Sequence, residues 1–283
     1  MKKIIALILA ALMIAACFAG CGKTTGNTDG TGNTGTEGTT ANNTEEKTVV
    51  VGYTIYEPMN YKDENGKLVG FDTELAEAVF GKLGYKVIFQ EIEWSAKYTD
   101  LNSGAIDCVW NGFTANTKDD DGVARADKVD FSYNYMENRQ VIVVKADSTI
   151  AAAADLKGKM GAAESGSAGE TYAKTFEGAT VKGFTLQTEC LNEVNAGTQD
   201  FAVLDAQLAK SYVGKGDYAN LKIVDGLDSE VEYYAIGFKK GSDLTAKVNA
   251  QLDALAKDGT IKTLAEKYKV ENTAITDFAD QAK

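Results

Sequence analysis

From residue 48 onward the chain alternates short β-branched runs with amphipathic stretches, and it does so twice. "KTVVVGY", "FDTELAEAVFGKLG", "YKVIFQEIE", "SAKYTDLNSG" and "AIDCVWNG" read as strand, helix, strand, helix, strand. In the first helix Phe71, Leu75, Ala78, Val79 and Leu83 recur at helical spacing, with Asp72 at the start and Gly84 at the stop. The pattern then restarts: "GKMGAAE", "SAGETYAKTF", "ATVKGF", "TECLNEVNAG", "DFAVLD", "AQLAKSYV". Such alternation requires parallel strands joined by covering helices. Two more strand-like runs, "RQVIVVKAD" and "EVEYYAIGFKK", flank the second half, and two helical runs follow the latter. A chain that leaves one domain through the first run and returns through the second has lobe 1 at 48–143 and 234–283, and lobe 2 at 144–233. The expected fold is therefore α/β and two-lobed, with a two-strand hinge of crossing strands and a ligand cleft between the lobes.

The beginning of the chain is read differently. "MKKIIALILAALMIAACFAGC" has two lysines, an apolar run and small residues before cysteine, the pattern of a secretory signal. Small residues directly before cysteine resemble a bacterial lipobox. Cys21, in "FAGC", is the favoured lipidation site and Cys17, in "IAAC", the alternative; an ordinary cleaved signal or a membrane span are the competing readings. Residues 21–47 are mostly Gly, Thr and Asn with almost no apolar side chain, so they are expected to form a disordered tether.

The net charge of -12 disfavours nucleic acid as a partner and leaves the membrane to be reached through a lipid anchor only. There is no histidine, which removes histidine triads and most zinc sites; no metal and no cofactor are expected. Cys108 and Cys190 fall in different halves and read as small core residues rather than a disulfide. The chain has 27 lysines but only two arginines, Arg125 and Arg139. Arg125 follows the acidic stretch "ANTKDDDGVA" and precedes "DFS".

Taken in order, "YEPMNYKDENGKLVGFDTELAEAV", "LNSGAIDCVWNGFT", "RADKVDFS", "DLKGKMGAAESGSAGE" and "DFAVLD" resemble the solute-binding proteins of polar amino-acid ABC importers (bacterial extracellular solute-binding proteins, family 3) over about residues 48 to 270. The resemblance implies a type II periplasmic-binding fold that clamps an amino acid as a zwitterion and delivers it to a permease. In that family an arginine six residues before the Phe of "DFS" holds the ligand carboxylate; Arg125 and Phe131 keep this spacing. A guanidinium suits the role because it offers a planar, two-pronged donor that lysine lacks. Here the connection from Thr114 to Arg125 is longer than is usual in the family, and is expected to bulge from the cleft rim unless it shifts Arg125 or lets Lys118 take part. Asn134 replaces the family's usual proline.

Ser165, Gly166, Ser167 and Ala168 are expected to grip the carboxylate a second time from a helix start, where Ser167 and Glu170 have capping-box spacing; a plain helix cap is the alternative. The resemblance assigns the ammonium to Asp205, at the end of "DFAVLD", with Gly112 and Thr114 completing the cage; a helix N-cap is the other role open to Asp205. Tyr56 and Trp94 match the family's pocket walls, although buried aromatics also serve as core. Glu57 is the acid nearest the end of the first strand, and a neutral polar amino acid is the expected ligand. The protein is expected to be an extracytoplasmic, lipid-anchored monomer and not an enzyme. A sensor module, or a dehydratase of the same fold using Glu57 or Glu164 as its acid, are the alternatives. The sensor is disfavoured because no transmembrane helix or signalling domain follows Lys283.

Overall fold

The computed structural model describes residues 47–282. The expected signal and lipobox cysteines, and all of the expected tether except Lys47, lie outside the described residues.

The first sheet takes β1 (Lys47–Tyr53) at the start of the described chain. A small hairpin, β2 (Tyr61–Lys62) and β3 (Leu68–Val69), leads into α1 (Phe71–Lys82). Gly70 makes this entry possible: its φ is 131°, and a Cβ there would lie 2.1 Å from the Met59 carbonyl oxygen. β4 (Tyr85–Glu91), α2 (Lys97–Ser103), β5 (Cys108–Val109), α3 (Arg125–Lys128) and β6 (Asp130–Phe131) follow. Asp72 does not cap α1. It is buried in the first turn, and its carboxylate accepts from the Gly112 N–H at 3.0 Å and the Tyr135 hydroxyl at 2.9 Å.

Next come β7 (Met136–Asn138), β8 (Gln140–Lys145), β9 (Met160–Glu164), α4 (Ala168–Ala173), β10 (Thr180–Phe184) and α5 (Gln187–Ala196). β11 (Phe201–Asp205), α6 (Ala206–Tyr212) and β12 (Leu221–Ile223) complete the second half. The run "EVEYYAIGFKK" forms two strands, β13 (Glu232–Tyr234) and β14 (Gly237–Phe238). α7 (Leu244–Lys257) and α8 (Thr260–Lys267) pack back against α1.

Two five-stranded sheets result, in the orders β4-β1-β5-β14-β6 and β10-β9-β11-β8-β12. β1 pairs parallel with β4 and β5, and β9 pairs parallel with β10 and β11. β14 and β8, each reached from the opposite lobe, pair antiparallel. β11 is apolar from Phe201 to Leu204 because both faces are covered: Ala202 and Leu204 join one core, Phe201 and Val203 the other. Between the sheets, β7 and β13 form an antiparallel ribbon (Asn138 opposite Glu232, Met136 opposite Tyr234), which is the two-strand hinge. The expected lobe boundary at residue 144 falls inside β8; Gln140, its first residue, already pairs with Asp205 in the second sheet.

Cys108 and Cys190 are free thiols and fully buried. The Asn134 N–H donates to the Gln281 side chain at 2.7 Å, a bond that the proline expected from the resemblance could not make.

Candidate ligand-binding cleft

The C-terminal ends of the parallel strands in both sheets face one cavity, the usual ligand position in α/β sheets. Tyr56 follows β1, Trp94 follows β4, and Asn111, Gly112 and Thr114 follow β5. From the second sheet come Glu164 at the end of β9, Ser167 and Ala168 at the start of α4, Gln187 at the start of α5, and Asp205 at the end of β11. Arg125, first residue of α3, completes the lining.

Arg125 is 1% exposed. Its Nε donates to Asp119 Oδ1 at 2.8 Å, Nη1 to the Thr114 carbonyl at 3.3 Å and Nη2 to the Gly166 carbonyl at 3.2 Å. The guanidinium lies 5.4 Å from the Phe113 ring centre, which is wedged edge-on between Trp94 and Phe131. A guanidinium has five N–H donors, so three such bonds leave two. The long connection before Arg125 is not a loose bulge. Lys118 bridges to Ala124, and the Asp119 N–H bonds the Val123 carbonyl, which folds the acidic stretch into a tight turn and turns Asp119 inward. Burial alone raises the Asp119 carboxyl, but the charge of Arg125 and hydrogen bonds from Lys128, Tyr98 and Arg125 outweigh it and hold the group at about 2. Lys118 is exposed and takes no part.

A second buried cation stands beside Arg125. Lys97 is 2% exposed; its Nζ donates to the carbonyls of Gly166 at 3.0 Å and Trp94 at 3.3 Å and lies over the Trp94 and Tyr98 rings. Burial, and then the charge of Arg125, lower its pKa to about 7.

On the opposite wall Asp205 occupies the N-cap position of α6 without capping it. Oδ1 accepts from Asn138 at 2.8 Å and Gln140 at 2.6 Å, and Oδ2 from Gln187 at 2.5 Å. The Tyr234 hydroxyl interacts with the same carboxylate. Glu232, on the hinge strand, accepts from Thr114 Oγ1 at 3.2 Å and Gln140 at 2.9 Å. Burial, then the charge of Asp205, push Glu232 up to about 7 and Glu164 to about 8. Gly112 has φ 58°, and a Cβ there would lie 2.7 Å from the Tyr56 ring.

The residues expected at the helix start divide. Ser167 and Ala168 line the cavity; Ser165 and Gly166 do not. The Ser165 N–H bonds the Phe184 carbonyl, that of Gly166 the Glu170 carboxylate at 2.7 Å, and that of Ser167 the Glu164 carbonyl. Gly166 instead presents its carbonyl to Arg125 and Lys97. Ser167 Oγ caps the Glu170 N–H at 3.0 Å, but Glu170 turns to Gly166 rather than closing the capping box. Glu57 is elsewhere: it lies on the turn between Tyr56 and Asn60 and lines a separate cavity with Lys210, Lys215, Lys267 and Lys269. Sequence reasoning missed Lys97, Asp119, Gln187 and Glu232. Lys97 is one of 27 lysines and Asp119 one of three consecutive aspartates, so neither carries a local signal.

Residues 49–271 match the model of the bacterial extracellular solute-binding proteins, family 3. The chain belongs to that family. It is 30% identical to an arginine-binding extracellular protein of Bacillus subtilis, ArtP, over 95% of this chain and 98% of that one. It is 31% identical to an L-cystine-binding protein of the same organism, TcyA, over 77% of this chain and 80% of that one. Among solved structures, an ancestral arginine-binding protein bound to arginine is 38% identical with a TM-score of 0.71, covering 78% of this chain and 97% of that one. These are binding proteins with a type II periplasmic-binding architecture, and this chain is likewise a two-lobed binding protein rather than an enzyme. The family is extracellular; no helix among the described residues is long and apolar enough to cross a membrane.

Proposed function

We propose that the protein captures an amino acid as a zwitterion between its lobes and delivers it to the transmembrane subunits of an ABC importer. One observation carries this reading: Arg125, from the first lobe, and Asp205, from the second, line the same cavity. The two unengaged N–H groups of Arg125 receive the α-carboxylate, with Ser167 and Ala168 beside them. Asp205 receives the α-ammonium, next to Gly112 and Thr114. Tyr56 and Trp94 are the side-chain walls. A buried charge without a partner costs several kcal/mol, so a ligand that matches both groups favours the closed lobes over the open ones.

The closed cavity is small, about 10 Å³, room for roughly one water molecule. The lobes therefore part at the β7–β13 ribbon to admit an amino acid. Residues 1–20 act as a signal, and a lipid on Cys21, or on Cys17, anchors a monomer through a tether, with the chain crossing between the lobes at the β7–β13 ribbon.

The test is the melting temperature of protein refolded free of carried-over ligand, measured against a panel of amino acids. A ligand present at about 1,000 times its Kd adds about 4 kcal/mol, or roughly 10 °C for a chain of this size. Absence of a shift with every amino acid would sink the reading.

A further inference from the structure

Glu164 closes β9, one strand away from Asp205, and its side chain lines the cavity while remaining only 4% exposed. Among the described residues no basic group lies within ion-pair distance of it; the side chain of Gln187 reaches it instead. The buried or half-buried cations around the cavity are Arg125, Lys97 and Lys128, and the buried or half-buried carboxylates are Asp119, Glu164, Asp205 and Glu232. Arg125 is paired with Asp119, and Lys97 is held by two carbonyl oxygens.

A zwitterion engages Arg125 and Asp205 but brings no net charge. It leaves the carboxylates in excess and Glu164 facing the ligand without a cation. Charge buried in this way is costly unless it is paired. We propose, resting on the amino-acid reading above, that Glu164 is the specificity-determining residue of the cleft and that it selects an amino acid whose side chain carries a positive charge.

Two further observations favour a cation here. Tyr56 and Trp94 line the same cavity, and aromatic faces attract ammonium and guanidinium groups. The high pKa of Glu164 reports how crowded the negative charge is without a partner: burial and then Asp205 raise it, while Lys97 and Arg125 only partly offset this. The sequence favours a neutral polar ligand because Glu57 is not clearly at the place where relatives for basic amino acids carry an acid. The structure does keep Glu57 out of this cavity, but it brings in another acid that the expectation did not count. The acid that faces the ligand is Glu164.

The experiment is isothermal titration of the protein with L-arginine and with L-citrulline, which has the same shape and no side-chain charge, and of L-lysine against L-norleucine. The charged member of at least one pair is expected to bind about thirtyfold tighter than the neutral one, as for a desolvated charge partner. In Glu164→Gln, which keeps the side chain's size, the preference is expected to fall to about threefold or less, mainly through loss of affinity for the charged ligand. Equal affinity within each wild-type pair, or tighter binding of the neutral members, overturns the proposal even if the variant fails to fold. So does a Glu164→Gln variant that folds and keeps the full preference. If no amino acid binds at all, the amino-acid reading falls instead, which the thermal panel registers separately.

Discussion

Asp119 and Arg125 are six residues apart, and the turn between them brings Oδ1 to 2.8 Å from Nε. The pair is almost wholly buried on the arginine side and further braced by Lys128, whose Nζ lies 2.8 Å from the second Asp119 oxygen. The connection between Thr114 and Arg125 thus supplies the group that orients its own arginine. Nε faces Asp119, and the terminal nitrogens are turned toward the cleft.

Arg125→Ala is expected to abolish measurable amino-acid binding, and Arg125→Lys to restore little, because an ammonium lacks the planar fork. Asp119→Ala leaves the guanidinium buried without its counter-charge. It is expected to cost about 3 kcal/mol of stability in urea unfolding, as for a broken buried pair, and to weaken binding at least tenfold. A calorimetric affinity unchanged by Asp119→Ala would show that Thr114 and Gly166 alone suffice to hold Arg125.

Asp120, the next residue in the same turn, reaches across the cleft. It accepts from Thr171 Oγ1 at 3.0 Å and pairs with Lys174, both on or just after α4. The pair is exposed, so Asp120→Ala is expected to change global stability by less than about 1 kcal/mol. It should nevertheless speed ligand release about two- to fivefold by loosening the closed state, an effect that shrinks as salt rises. Stopped-flow dissociation at low and high ionic strength measures both; identical rates in the two proteins would rule out a latch.

The unliganded protein should lose stability as pH rises from about 5 to 7. Asp72 and Glu232 are pushed up to about 7 and Glu164 to about 8, in each case chiefly by burial. Each therefore holds a proton in the folded state through a range where the unfolded chain, with carboxyls near 4, has released it, and stability falls as pH rises there. Lys97, lowered to about 7, acts oppositely only above that pH, and Asp119, at about 2, only below about 4. Glu164→Gln should flatten the slope between pH 5 and 7; melting curves across this range that rise with pH would contradict the assignment.

Gly112→Ala tests the backbone of the cage. A left-handed φ of 58° and a Cβ 2.7 Å from the Tyr56 ring leave no strain-free placement. The expected result is a loss of about 1–2 kcal/mol or more in stability from the backbone conformation alone, with binding weakened by displacement of Tyr56. A variant with unchanged melting and affinity would mean that the loop after β5 relaxes freely.

What the sequence determined by itself were the features with a local period or a fixed spacing. The β-branched runs and the helical recurrence of Phe71, Leu75 and Val79 became β1 and α1 because side-chain periodicity decides which face is buried. Arg125 and Asp205 stand out as candidates because each has a defined place relative to a recognisable motif, and both line the cleft. The tertiary structure alone decided the rest. Gln140, Gln187 and Glu232 come from three different elements and meet at Asp205 only after two sheets and a hinge are assembled, and a buried polar residue leaves no periodic trace along the chain. Glu57 fails for the complementary reason: nearness to Tyr56 in sequence does not carry it into the cleft, since the chain turns sharply between Tyr56 and Asn60 and Glu57 lies on that turn. Asp119 was one aspartate among three until the turn closed, and it is the fold of that turn, not its composition, that places its charge against Arg125.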